Sequence, residues 1–139
     1  MSYVRVFFNP IHSGHIDYLE SAKKLGDKLF VIVNNDNQVV VKKSKPFMNE
    51  TERLRIVSAL DCVDVAIISL DACYGIEYSL EYLASNNRDK ELIFANGGDR
   101  TPDNKNPMED EACKRYNIKQ VFNIGGKKTQ SSSNILRNL

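Results

Sequence analysis

The chain has 139 residues, 42% hydrophobic and 27% charged, which suits a single packed core spanning residues 1–139 and excludes a disordered or collagen-like chain. A net charge of +1 provides no global field for nucleic acid or an anionic membrane, so any anion site must be local. No apolar run approaches the roughly 18 residues that cross a bilayer, and no basic segment with a long apolar stretch opens the chain.

Val4-Arg5-Val6-Phe7-Phe8 is β-branched and aromatic and predicts the first strand. Over 13–25, Ile16, Leu19, Ala22 and Leu25 share one helical face, and Gly26 stops that helix. Leu29-Phe30-Val31-Ile32-Val33 is a continuous apolar run, as expected of a central parallel strand buried on both faces. The alternation continues with a helix over 50–60, a strand over 63–68, a helix over 76–85 and a buried strand over 92–95. A helix over 109–116, a short strand over 120–122 and a last helix over 131–139, opening on serines, complete it. This order predicts an α/β fold: a Rossmann-like, doubly wound, parallel five-stranded sheet with helices on both faces. Two polar stretches, 34–49 and 96–107, read as long connecting loops of the kind that carry function.

The three cysteines, Cys62, Cys73 and Cys113, are scattered and lack C-x-x-C spacing. They are expected to be reduced packing residues of a cytoplasmic protein. Both histidines of the chain, His12 and His15, lie three apart around Gly14, where the first strand gives way to the first helix. Ligands in open α/β sheets bind beyond the carboxyl ends of strands, and a helix N-terminus there adds unpaired N–H groups and partial positive charge. Two imidazoles at i and i+3 face the same side of a first turn, and Gly14 lets an anion approach the backbone. Capping or packing is the plainer use of such a pair. Metal binding is disfavoured, because no third strong ligand is near.

Phe8-Asn9-Pro10-Ile11-His12-Ser13-Gly14-His15 resembles the H-x-G-H signature of the cytidylyltransferase-like nucleotidyltransferases. Leu25 to Asn34 and Glu52-Arg53-Leu54-Arg55-Ile56 resemble the glycerol-3-phosphate cytidylyltransferase and heptose-phosphate adenylyltransferase branch. Gln130-Ser131-Ser132-Ser133-Asn134-Ile135 is similar to the second signature, a serine/threonine run that opens the last helix. The resemblance implies transfer of CMP or AMP from CTP or ATP to a small phosphorylated polyol or sugar, with Mg²⁺ accompanying the nucleotide and pyrophosphate released. It implies that His12 and His15 act on the triphosphate, assisted by Lys42 or Lys45 from the lysine-bearing loop. Phe8, Asn9, Gly14 and Arg53 are implied to lie at the nucleotide, with Gly98, Asp99, Lys127, Ser131, Ser132 and Ser133. Arg100 is implied to hold the acceptor phosphate.

Each assignment has a plainer counterpart. Loop lysines are commonly solvated, one serine suffices for an N-cap, Asp99 and Arg100 can hold a turn, and Arg53 can pair with Glu50 at i,i+3. The pattern also departs from the family: Val6-Phe7 stands where small residues are usual, and Lys127 or Lys128 replaces an arginine. Two further functions follow as alternatives, a non-catalytic nucleotide or sugar-phosphate binding module and an adenylyltransferase acting on a mononucleotide cofactor precursor. No nucleic-acid or membrane partner is expected, and a homodimer is compatible with the resemblance.

Overall fold

The computed structural model describes residues 2–6, 13–41, 49–72, 75–97 and 101–124. Within them the chain runs β1 (Ser2–Val6), α1 (Ser13–Lys23), β2 (Leu29–Val33), α2 (Asp36–Val41), α3 (Glu50–Ser58), β3 (Val65–Ile68), α4 (Glu77–Ser85), β4 (Ile93–Gly97), α5 (Pro107–Arg115) and β5 (Lys119–Ile124). All strand pairings are parallel and join the strands in the order β3-β2-β1-β4-β5. This is an α/β fold of parallel strands and alternating helices.

Alternation along the central strands builds two apolar layers. Val31 and Val33 of β2 and Ala95 of β4 pack with Leu19 and Ala22 of α1 and Val57 of α3. Ile32 and Phe94 pack with Leu80, Leu83 and Ala84 of α4, with Ala112 and Cys113 of α5, and with Ile118. Because β2 and the first three residues of β4 are apolar on both sides, they read as hydrophobic runs. Burial pushes the Cys113 thiol up to about 12, with the nearby Glu109 carboxylate adding to the shift, as befits an inert packing residue. Cys62 is a half-buried free thiol, and Cys73 lies outside the described residues.

The helices begin where polar side chains close their first turns. Asn49 caps α3 by accepting from the Glu52 N–H. Asn106 caps α5 by accepting from Met108 and Glu109, with Pro107 in the first turn. The end of α5 is set by Asn117, whose φ of 57° is left-handed, and the Ile118 N–H reaches back to the Cys113 carbonyl.

One expectation is corrected: the polar stretch 34–49 is not all loop, because α2 occupies its first half. Asn35 and Gln38 form a reciprocal capping box, the Gln38 N–H donating to Asn35 Oδ1 and the Asn35 N–H to Gln38 Oε1. Val39 then buries to 1% exposure, enough to fold a segment whose composition looks soluble. Likewise, the stretch 96–107 contributes Asn96 and Gly97 to β4 and Pro107 to α5. The last predicted helix, 131–139, lies outside the described residues.

Candidate functional site

Sequence neighbours lie side by side in β1-β2-β3 and in β4-β5, and the order reverses between β1 and β4. Such a reversal is where open α/β sheets form a ligand crevice beyond the carboxyl ends of the strands. Pairing makes the crevice physical. β1 stays in register with β2 up to Val6↔Val33, but its pairs with β4 are Ser2↔Ile93 and Tyr3↔Phe94, at the other end of the strand. Toward their carboxyl ends the two strands therefore part. Tyr18 of α1 spans the gap, its O–H donating to the Ala95 carbonyl at 2.5 Å.

The first helix starts at this gap, with Gly14 and His15 half-buried in its first turn. Its opening differs chemically from the others. No acidic residue occupies the first turn of α1, whereas α2 has Asp36, α3 has Glu50 and Glu52, α4 has Glu77, and α5 has Glu109 and Asp110. Carboxylates offset the positive end of those four helices, and α1 has none in its first turn. An imidazole and a glycine backbone at that end suit a phosphate.

Beside the crevice, the carboxyl ends of β2 and β3 carry a buried polar network. Arg53, fully buried at 0% exposure, donates from Nη1 to the Asn34 carbonyl at 2.5 Å and from Nη2 to Asp36 Oδ1 at 2.7 Å. Asn35 donates its amide to the carbonyls of Ser69 and Asp71, and Gln38 donates to the Gly75 carbonyl. Asp71, 3% exposed, accepts from the Tyr78 and Ser79 N–H groups and from the Ser79 hydroxyl. It caps α4 from a neighbouring loop, since the residue at the cap position, Ile76, has no side chain for the task.

Asn34 is the exception in this network. It is 0% exposed, and neither its Nδ2 nor its Oδ1 has a hydrogen-bond partner among the described residues. At the end of β4, by contrast, the buried Asn96 donates to Gln120 and to the Val121 carbonyl.

Of the residues singled out from the sequence, the structure places Gly14 and His15 together at the switch point and Arg53 in the adjoining network. The partners of Arg53 include Asp36 and the Asn34 carbonyl, so its guanidinium ties α3 to the turn after β2. Phe8, Asn9, His12, Lys42, Lys45, Gly98, Asp99, Arg100, Lys127, Ser131, Ser132 and Ser133 lie outside the described residues. Sequence reading passed over Asn34, Asn35, Gln38 and Asp71. Asn-x-x-Gln at 35–38 is a legible capping signal, and the position of Asn34 after an apolar run marks a strand's carboxyl end; nothing local announces Asp71.

The profile of the cytidylyltransferase-like family matches residues 7–138, nearly the whole chain. The chain belongs to the cytidylyltransferase-like family. Among relatives, it is 48% identical over 61 residues to the FAD synthase of Methanocorpusculum labreanum, covering 44% of this chain and 43% of that protein. It is 54% identical over 61 residues to the FAD synthase of Archaeoglobus profundus, covering 44% of this chain and 39% of the other. A 37% identity over 98 residues, 69% of this chain and 18% of the relative, relates it to the bifunctional protein HldE of Pelobacter propionicus. The chain thus spans less than half the length of these curated relatives. A solved structure of a lipopolysaccharide core biosynthesis protein from Thermoplasma volcanium GSS1 superposes with a TM-score of 0.68 at 27% identity, covering 91% of this chain and 97% of that one. The stretch His12-Ser13-Gly14-His15 lies within the matched residues, and Ser13, Gly14 and His15 are its described part.

Proposed function

We propose that this protein transfers AMP or CMP from a nucleoside triphosphate to the phosphate of a small phosphorylated alcohol, sugar or mononucleotide. The observation that carries the reading is the opening of α1 at the β1/β4 switch point, which offers Gly14 and His15 and no carboxylate of its own. An oxygen of the acceptor phosphate attacks the α-phosphorus, the bond from that phosphorus to the bridging oxygen breaks, and pyrophosphate leaves with the electron pair. The acceptor phosphate is already ionised at neutral pH, so no general base is required. The protein's task is to hold the phosphates in line and to neutralise charge on the equatorial oxygens, which N–H donors and His15 supply. Among the described residues no group of three or more His, Cys, Asp or Glu is gathered for a metal. Mg²⁺ would enter the reaction as part of the MgNTP substrate, bound by phosphate oxygens and water.

Two acceptor classes are supported by different relatives. Matches at 48 to 54% identity to FAD synthases favour adenylyl transfer to a mononucleotide such as FMN. Longer matches at 34 to 37% identity to HldE proteins favour a sugar phosphate. The deciding experiment incubates the protein with MgATP or MgCTP and a panel of FMN, sugar phosphates and phosphorylated polyols, and follows pyrophosphate. Release with one acceptor is expected, falling by roughly 100-fold or more in His15→Ala. No release across the panel overturns the reading, and tight nucleotide binding without release selects a binding module instead.

A further inference from the structure

We infer that the Asn34 carboxamide is a specificity-determining contact, pairing one donor and one acceptor with a neutral polar group of a bound substrate. This deepens the proposed transfer reaction and rests on it.

Asn34 is the first residue beyond β2, whose last paired residue, Val33, sits beside Val6 of β1. Adjacent strands are about 4.8 Å apart, so Asn34 stands one strand from the carboxyl end of β1. Its main chain is held in place, because the buried Arg53 guanidinium donates to the Asn34 carbonyl. Its side chain is enclosed, with both amide atoms unpaired among the described residues. A buried amide with neither partner is costly, and native proteins keep few of them. The cost is not a general feature of this edge. The amides of Asn35, Gln38 and Asn96 all find acceptors. The remaining orphaned atom, Glu77 Oε2, belongs to a half-buried residue at the start of α4.

A primary amide presents a donor and an acceptor side by side. It complements a pair of hydroxyls or the edge of a heterocycle, and it would be a poor match for a second phosphate, which offers acceptors alone. In a site built to hydrogen-bond a substrate, discrimination is large because the wrong ligand leaves buried groups unpaired. The neutral group has two sources: the body of the phosphorylated acceptor, or the ribose or base of the nucleotide.

The test compares wild type with Asn34→Leu, which keeps similar bulk without polar atoms, and with the smaller Asn34→Ala. KM for the nucleotide and for the acceptor are measured separately, alongside Tm without ligand. The expected result is a rise of about tenfold or more in one of the two KM values, with no loss of Tm, since a costly orphan has been removed. The KM that rises identifies the source. Unchanged KM values in a folded variant overturn the inference and leave the amide to internal solvent only. So does a fall in Tm with both KM values moving together, or failure of both variants to fold, because each points to a role in holding the fold. If wild type releases no pyrophosphate on any acceptor, the transfer reading fails by itself. Calorimetric binding of MgATP, MgCTP, FMN and a sugar phosphate then decides the role of Asn34, and no ligand with affinity weakened by Asn34→Leu overturns it.

Discussion

The α4/α5 layer and the carboxyl edge of β2 and β3 are both closed to solvent, yet they are closed by opposite means. Under α4 and α5, Ile32, Leu80, Leu83, Phe94, Cys113 and Ile118 seal a mainly apolar volume, where the buried Glu109 accepts from the Ile76 N–H. At the carboxyl edge, Asn34, Arg53, Ser69, Asp71 and Ser79 are buried and must find partners, and all but Asn34 have bonds. Apolar packing is non-directional and tolerates approximate shape, whereas a buried polar network is stable only with each donor matched. The difference teaches that the layer is held by shape and the edge by matched bonds, with the Asn34 amide the one side chain of that set left unpaired.

The largest effect should come from the apolar side. Phe94→Ala, at a residue 1% exposed between α4 and α5, is expected to cost about 4 kcal/mol of stability in urea denaturation. A cost under about 1 kcal/mol would mean that the layer is not the main support of the fold. A smaller loss should follow from unlocking the polar edge. Arg53→Leu strips the Asn34 carbonyl and Asp36 of a charged donor, and about 2 kcal/mol is expected. That figure lies below the range for fully buried pairs because the Asp36 side chain is 36% exposed. Arg53→Lys should not restore it, since an ammonium cannot serve both acceptors in the same plane. Stability equal to wild type in Arg53→Leu would show that the guanidinium is kept for ligand rather than for the edge.

The smallest effect belongs to the surface of the sheet's opposite end. The Lys23 ammonium, followed by the Leu29 N–H, holds the Asp64 carboxyl below its ordinary value of 3.8. A folded-state pKa below the unfolded one gives stability that is present above pH 3.8 and lost as pH falls through the lower folded value. Both side chains are about one-third exposed, so the contribution is about a few tenths of a kcal/mol. The Tm difference between wild type and Lys23→Met should therefore be small at pH 7 and shrink to zero on acidification. A difference that grows toward low pH would reverse the sign of this linkage.

Much of this molecule was legible before its structure. The apolar runs at 29–33 and 92–95 read as buried strands, and β2 and β4 stand there, as a central parallel strand requires. Gly14 and His15 are expected where the first strand gives way to a helix, and they stand in the first turn of α1. What escaped was long-range. Asp71 caps α4 through a loop, Tyr18 reaches Ala95 across 77 positions, and α2 folds from a stretch whose lysines and asparagines read as loop.

The sequence by itself determined the alternation of strand and helix and the family, because periodicity is local and a signature is a string. Only the tertiary structure decided that β1 and β4 part above Tyr3↔Phe94, that Arg53 turns inward to Asn34 and Asp36, and that the Asn34 amide stays open. Those outcomes depend on which distant groups arrive at one edge, and a hydrogen bond is settled by distance and direction in space rather than by spacing along a chain.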